Sequence, residues 1–261
     1  MKNYKLKIIV FIFLQTVISE VYSSELMTSA DRNSGEGIDF SVYWLQEKRD
    51  IVLNVLSAEK ISIFNLDATV STFSSTGESR EKYELKEKSS LPVIKFNVRL
   101  GEKFHPYSKV GISKTELTGY GKKWESRQDG IAGGFGLKYV LLQDTVVTPA
   151  FAVDTGITFK NVKIKKFDGT DIDLNYKTRE LSASFWTSKK LKRFEPYLGL
   201  QFSFVDGEFG NYDIDADSIN IFYGCGYSYP YKFLPDIKFV FENSFVNIKN
   251  FNFSTGIKIG I

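Results

Sequence analysis

The sequence has little of what metal and nucleophile chemistry is built from. Its single cysteine, Cys225, cannot close an internal disulfide, and its single histidine, His105, cannot supply a multi-histidine metal site. No metal site and no cofactor motif is expected. Gly134-x-Gly136 lacks the third glycine of a dinucleotide loop and falls in strand-like sequence, and no GxSxG elbow occurs. The run Asp213-Ile-Asp215-Ala-Asp217 has the opening of a calcium loop. Its sixth position, however, is Ser218 instead of Gly, and its twelfth is Gly224 instead of Glu. The segment 206–217 therefore reads as a solvated acidic loop, with a loose surface cation site as the alternative. Charge of one sign is also missing: 34 basic and 31 acidic residues are dispersed along the chain, which leaves no electrostatic footprint for nucleic acid. Long apolar runs are absent beyond the N-terminus, so any membrane crossing would have to use strands.

What is present favours β structure. Methionine occurs twice against 23 Phe and 14 Tyr, a bias toward pleated surface over helix. Residues 1–23 read as a secretory signal: Lys2, Lys5 and Lys7 precede the apolar stretch 8–18, and Val21 and Ser23 suit a cleavage site. A helix of that stretch rises only about 16 Å, too short for a membrane anchor. The expected domains are the signal 1–23, an N-terminal extension 24–35 and a β domain 36–261. Three basic residues and one acidic residue lie in the signal, so the mature chain keeps a net charge of +1.

Period-two alternation recurs along the chain. Phe251, Phe253, Thr255, Ile257, Ile259 and Ile261 share one face, with Asn252, Ser254, Gly256, Lys258 and Gly260 on the other. Leu198, Leu200, Phe202 and Phe204 alternate in the same way, as do Ile94, Phe96, Val98 and Leu100, and Phe151, Val153, Ile157 and Phe159. Tight breaks near 102–106, 143–145, 190–193 and 230–235 interleave with longer polar stretches at 74–90, 119–129, 165–173 and 206–217. Short turns on one rim and long loops on the other describe an antiparallel up-and-down transmembrane barrel. Twelve strands are preferred, near 36–46, 49–57, 60–73, 91–102, 106–118, 130–142, 145–160, 174–189, 194–206, 217–229, 236–247 and 250–261. If the hairpin 49–73 stands outside the membrane, ten remain.

A soluble sandwich or lipocalin-like barrel shows the same alternation with its greasy face inward. Glycines separate the two readings: Gly111, Gly134, Gly136, Gly156, Gly199, Gly224, Gly226, Gly256 and Gly260 share the polar face, where small residues suit a crowded lumen. Aromatics near strand ends, Tyr107, Tyr120, Trp124, Tyr139, Trp186, Tyr197, Tyr229 and Tyr231, fit interfacial girdles or, alternatively, ordinary packing.

With its Pro106-Tyr107 and Pro196-Tyr197-Leu198-Gly199 strand entries and its alternating segment 251–261, the chain resembles the small outer-membrane β-barrel proteins of bacteria with two membranes, the opacity-type and minor porin-like class. The resemblance covers nearly the whole mature chain and departs at Ile261, where such barrels usually end in an aromatic ring. It implies insertion into the outer membrane of a diderm bacterium, with outer-membrane lipid and the barrel-assembly machinery as partners, and with small solutes or an extracellular protein as further partners. Enzymes of that class commonly place a histidine base near the outer rim. Here His105 falls in a tight turn expected on the opposite rim and exposed, so such a site cannot be assembled. Cys225 reads as a small buried hydrophobe between Tyr223 and Tyr227.

The expected function is therefore a non-catalytic barrel, either a narrow passive pore or a structural surface protein. Two alternatives stand beside it: an adhesin working through loops such as the mixed-charge segment 78–88, and a secreted soluble β-barrel. On this parity the lumen carries Lys95, Arg99, Lys109, Lys138, Lys160, Lys238 and Lys258 against Asp39, Asp67, Asp154, Glu180 and Glu242. Such charges pair and plug the barrel, or hold water and leave a weakly anion-preferring channel.

Overall fold

The computed structural model describes residues 37–56, 71–73, 79–126, 130–229 and 236–260; the expected signal, the segment 24–35, Asp67 and Tyr231 lie outside them. The elements are β1 (Gly37–Leu56), β2 (Ser71–Phe73), β3 (Ser79–Arg99), β4 (Phe104–Gly119), β5 (Lys122–Glu125), β6 (Gly130–Leu142), β7 (Ala150–Phe167), β8 (Thr170–Ser188), β9 (Phe194–Phe209), β10 (Tyr212–Tyr229), β11 (Asp236–Val246) and β12 (Asn250–Gly260). Ten of them close a ring of antiparallel neighbours in the order β1, β3, β4, β6, β7, β8, β9, β10, β11, β12 and back to β1. The short β2 lies along β3, and β5 bridges β4 and β7.

Ten membrane strands replace the preferred twelve. The segments 36–46 and 49–57, expected as two strands, are the single strand β1. The polar residues 46–50 hold no turn, because Glu47 and Arg49 point inward into a set of ion pairs while Lys48 faces out. Of the expected strand 60–73 only β2 lies among the described residues. The long polar stretches are largely strand too. In 165–173 the turn narrows to Asp168 and Gly169, whose φ values of 46° and 85° suit a two-residue hairpin. In 206–217 the strands run on to Phe209 and Tyr212, so the acidic residues expected in a loop stand on paired strands.

These extensions change the character of the wall. Near the turns 100–103 and 189–193, the outward side chains are apolar and exposed, including Val42, Ile94, Phe96, Val110, Phe135, Phe185, Leu198 and Ile257. Toward the opposite rim the inward positions become apolar. On β7 the outward Phe159 gives way to the fully buried, inward Val162 and Ile164, and on β9 the outward Phe204 gives way to the inward Val205 and Phe209. Hydrophobicity changes sides while the pleat continues, on β7 as far as Ile164, as expected of a strand leaving hydrocarbon for water. The soluble-barrel reading thus fits only this upper storey.

The upper storey also has fewer strands. β1 pairs directly with β10 above the short β11–β12 hairpin, through Val52↔Asp215, Leu53↔Ile214 and Asn54↔Asp213. β5 stands above the end of β6, pairing Leu117↔Trp124 on one side and Trp124↔Phe167 on the other. A ten-stranded barrel therefore continues as an eight-stranded one of β1, β3, β4, β5, β7, β8, β9 and β10. Its interior is a cluster that includes Ile51, Leu53, Leu85, Leu117, Trp124, Tyr176, Phe209 and Ile214. Burial of each large side chain there contributes roughly 1.5–3 kcal/mol.

Candidate functional site

The interior of the ten-stranded storey gathers the polar faces of all ten strands. The structure places Lys95, Lys109, Lys138, Asp154, Lys160 and Glu242 there as buried residues, together with Asp39. The side chains of Arg99, Glu180, Lys238 and Lys258 are 11–14% exposed in the same interior. Four charged residues missed by the sequence reading join them: Glu47, Arg49, Glu87 and Glu195. Arg49 and three acids, with Asp67 outside the described residues, turn the expected seven-to-five balance into eight basic against seven acidic side chains. The signal for the missed residues was parity itself, since all four continue the inward register of β1, β3 and β9.

These charges form a ladder of contacts between strands distant in sequence. At the rim where β1 begins and β12 ends, Asp39 faces Lys258 Nζ at 2.8 Å and Arg99 Nε at 3.6 Å, and Asn97 Nδ2 donates to it at 3.2 Å. Next, Lys95 Nζ lies 3.6 Å above the Tyr107 ring, and Tyr107 Oη donates to Asp154 Oδ1 at 2.6 Å. Lys238 pairs with Glu195, Lys138 lies over the Trp186 ring, and Tyr197 Oη donates to Glu242 Oε2 at 3.1 Å. Just below the apolar core, Arg49 meets three carboxylates: Nη2 with Glu47 at 2.6 Å, Nε with Glu87 at 3.1 Å and Nη1 with Glu180 at 3.1 Å. Glu87 also engages Lys160 and accepts hydrogen bonds from Ser89 Oγ at 2.6 Å and Tyr176 Oη at 2.7 Å.

Several of the aromatics expected in girdles belong instead to this interior: Tyr107, Trp186 and Tyr197 point inward, and Trp124 is in the upper core. Glycine explains their placement. A β-carbon at Gly156 would stand 2.7 Å from Tyr107 Oη, and one at Gly136 or Gly224 would overlap the Tyr107 or Tyr197 ring. The small residues of the lumen are the sockets of its large ones. Tyr139 and Tyr229 do face outward on the lower rim, where Tyr139 packs on Phe104 at 4.8 Å between ring centroids. Tyr120 is exposed beside the opposite rim, packed edge-on against Tyr83.

His105 is not an exposed turn residue. It is the second residue of β4, is buried, and stands opposite Lys138 in the strand register. Its inward side is set by Pro106 and Phe104, whose apolar bodies take the outer face. Cys225 is half-buried on the outward face, rather than fully buried.

Among the described residues the polar interior is closely filled. One internal cavity of about 40 Å³ lies among Glu47, Arg49, Lys160, Glu180, Gln201 and Asn220, and another of about 10 Å³ lies beside Tyr43 and Lys95. These hold a few waters at most. Above them the apolar core fills the eight-stranded storey.

No family model matches the chain, and no curated protein matches it. Among solved structures it is similar to the translocator domain of the autotransporter NalP from Neisseria meningitidis, at 12% identity and a TM-score of 0.44 over 87% of this chain and 89% of that one. It is also similar to the β domain of the Bordetella autotransporter BrkA, at 7% identity and a TM-score of 0.37 over 87% and 99% of the two chains. A TodX monoaromatic hydrocarbon channel mutant aligns at 10% identity and a TM-score of 0.27 over 87% and 89%. The chain's own geometry defines its class: a closed antiparallel ring with an apolar exterior and a polar interior is a transmembrane β-barrel of the outer-membrane type.

Proposed function

We propose that the protein is a non-catalytic barrel of the bacterial outer membrane, a structural surface protein whose lumen is closed and whose eight-stranded storey stands outside the cell. The observation that supports this reading is the pair of seals in series: paired charges filling the membrane lumen and an apolar core filling the storey above. A narrow passive pore of either ion preference needs a continuous wet path, and both levels oppose it. Planar-bilayer recording of the purified, full-length chain tests the reading. No conductance steps are expected, and steady conductance would restore the pore. Extraction from an outer-membrane fraction only with detergent tests the location.

The adhesin reading has its own support. The external storey is a rigid support whose outer face is mixed in charge, with Lys165–Asp173, Arg179–Asp206 and Lys177–Glu208 pairs on its wall. A surface held this way could meet an extracellular partner, and binding of intact cells to immobilised host proteins would measure it.

A further inference from the structure

The hairpin of β11 and β12 has no counterpart in the upper storey. Above its turn, β1 closes directly on β10. On the far side of the barrel β5 takes the place of β6, so the step from ten strands to eight falls at this hairpin. A barrel of eight strands is narrower than one of ten. The upper storey therefore stands back from β11 and β12, and leaves their outer face open to a neighbour in the membrane.

That face holds an amide where hydrocarbon is expected. Glu242 and Ser244 are fully buried and point inward, which sets Asn243 outward, half-buried, between Phe241 and Phe245. It stands opposite Tyr223 of β10 and Phe253 of β12. The apolar belt on β10 reaches up to Ile219, whose carbonyl accepts the Asn247 N–H, and Asn243 lies two pleats below Asn247. Its carboxamide is thus well inside the belt, and it has no hydrogen-bond partner among the described residues. Outward hydroxyls of the same belt, such as Ser108 and Thr155, offer one donor each, whereas a carboxamide brings two donors and an acceptor.

Lipid tails cannot satisfy those groups. A second carboxamide can, because two amides related by a two-fold axis each donate to the other and each accept. The surroundings suit such a contact. Tyr223, Phe245 and Phe251 form a continuous aromatic run, with ring centroids 6.3 and 5.3 Å apart, that supplies stiff apolar area beside the amide. At the top of the face, the hairpin turn displays Ile248 with 81% of its surface exposed and a φ of 64°, a conformation that strains a β-branched residue. An apolar side chain held there at a cost in backbone strain is accounted for by a neighbour that covers it.

We propose that two copies of the chain associate side by side in the membrane through the outer face of β11 and β12, with their Asn243 carboxamides hydrogen-bonded to each other. The contact uses the same patch on both copies, so it closes at two. The inference rests on the membrane-embedded reading above.

The test is single-molecule photobleaching of the full-length chain, carrying one fluorophore, in phosphatidylcholine vesicles over a range of protein-to-lipid ratios. Dimers are expected to accumulate as the ratio rises. Asn243→Leu, which suits lipid and leaves the barrel wall intact, should weaken association at least about tenfold through loss of two polar bonds in hydrocarbon. Asn243→Gln should restore much of it, and Thr155→Leu on the opposite wall should change nothing. A second measurement covers the case in which Asn243→Leu fails to fold. In a Cys225→Ser background, Asn243→Cys should give a disulfide-linked dimer on mild oxidation in the vesicles, and Thr155→Cys should not. Monomers at every ratio overturn the proposal, as do dimers that Asn243→Leu leaves as tight as wild type, or cross-links that form as readily with Thr155→Cys as with Asn243→Cys. Failure of wild type to enter the vesicles removes the membrane reading along with the inference, whereas insertion as a monomer removes the inference alone.

Discussion

Arg49 spends each of its three guanidinium nitrogens on a different carboxylate, from β1, β3 and β8. Removing it leaves three acids close together in a dry interior, and breaking a buried pair from one side costs about 3–5 kcal/mol. Arg49→Met is expected to lower the unfolding free energy of vesicle-refolded protein by about that amount in urea titration. Arg49→Lys should recover only part of it, because one ammonium cannot point three ways. The exposed Arg179, paired with Asp206 at 3.0 Å, is the control: Arg179→Met should cost about 0–1 kcal/mol. At this scale the sequence was legible in parity and illegible in partnership. The inward placement of Lys160 follows from alternation with Phe159, but its neighbour Glu87 lies 73 residues away, in a segment that reads as a solvated loop because its charges are so dense. His105 was misjudged for a related reason, since two neighbouring bulky residues, Phe104 and Pro106, look like a turn until the strand register turns the ring inward.

Along a single strand the outward face passes from one solvent to another, and β9 shows it plainly. Its outward residues run Leu198, Leu200, Phe202 and Phe204, then Asp206 and Glu208. Leu200→Lys is expected to cost about 2–4 kcal/mol near the midplane, while Glu208→Lys on the same face of the same strand stays within about 0.5 kcal/mol. The inward Val205→Asp should instead destabilise the upper storey by placing an unpaired charge in its core. Refolding yield on semi-native gels separates the three. This change of solvent is why the upper strands were hidden: Ile172 and Leu174, or Ile214 and Ala216, alternate as cleanly as the membrane segments, but with the apolar side reversed, so a search for one greasy face reads them as polar loops. The turns were visible in principle, since Tyr120-Gly121 and Asp168-Gly169 both adopt the paired positive φ of two-residue hairpins. Asp168 also accepts the Lys123 N–H at 2.8 Å and meets Lys122 Nζ at 3.1 Å, contacts that hold its carboxyl below the usual range. A depressed carboxylate adds stability above its unfolded pKa and loses it as pH falls through the folded one. Exchange of the Lys123 amide should therefore quicken in acid below about pH 4, and Asp168→Asn should weaken that pH dependence.

For the whole molecule, the closed-lumen reading proposed above makes closure redundant, because resistance in series is set by the tighter element. The charged level is a plug of paired side chains, and its eight-to-seven balance would give almost no ion preference if it were opened. The apolar level alone is a dewetted constriction. Variants confined to the lumen, such as Lys138→Ala or Glu195→Ala, leave Trp124, Tyr176 and Phe209 packed edge-on above them with ring centroids 6.2 Å apart along the Trp124–Phe209–Tyr176 chain. They are expected to stay silent in planar bilayers, even though each one opens space below. Conduction should require loss at both levels, for example Arg49→Ala combined with Phe209→Ala. The current should then be small, because ten strands enclose far less than the 16–18 of the general porins. Channel steps from a lumen variant alone would mean that the upper core breathes on the recording timescale and that the charged ladder is the only seal. Silence from the combined variant, once its β content is shown to be intact, would mean that the close packing of rings into glycine sockets closes the barrel without help from either.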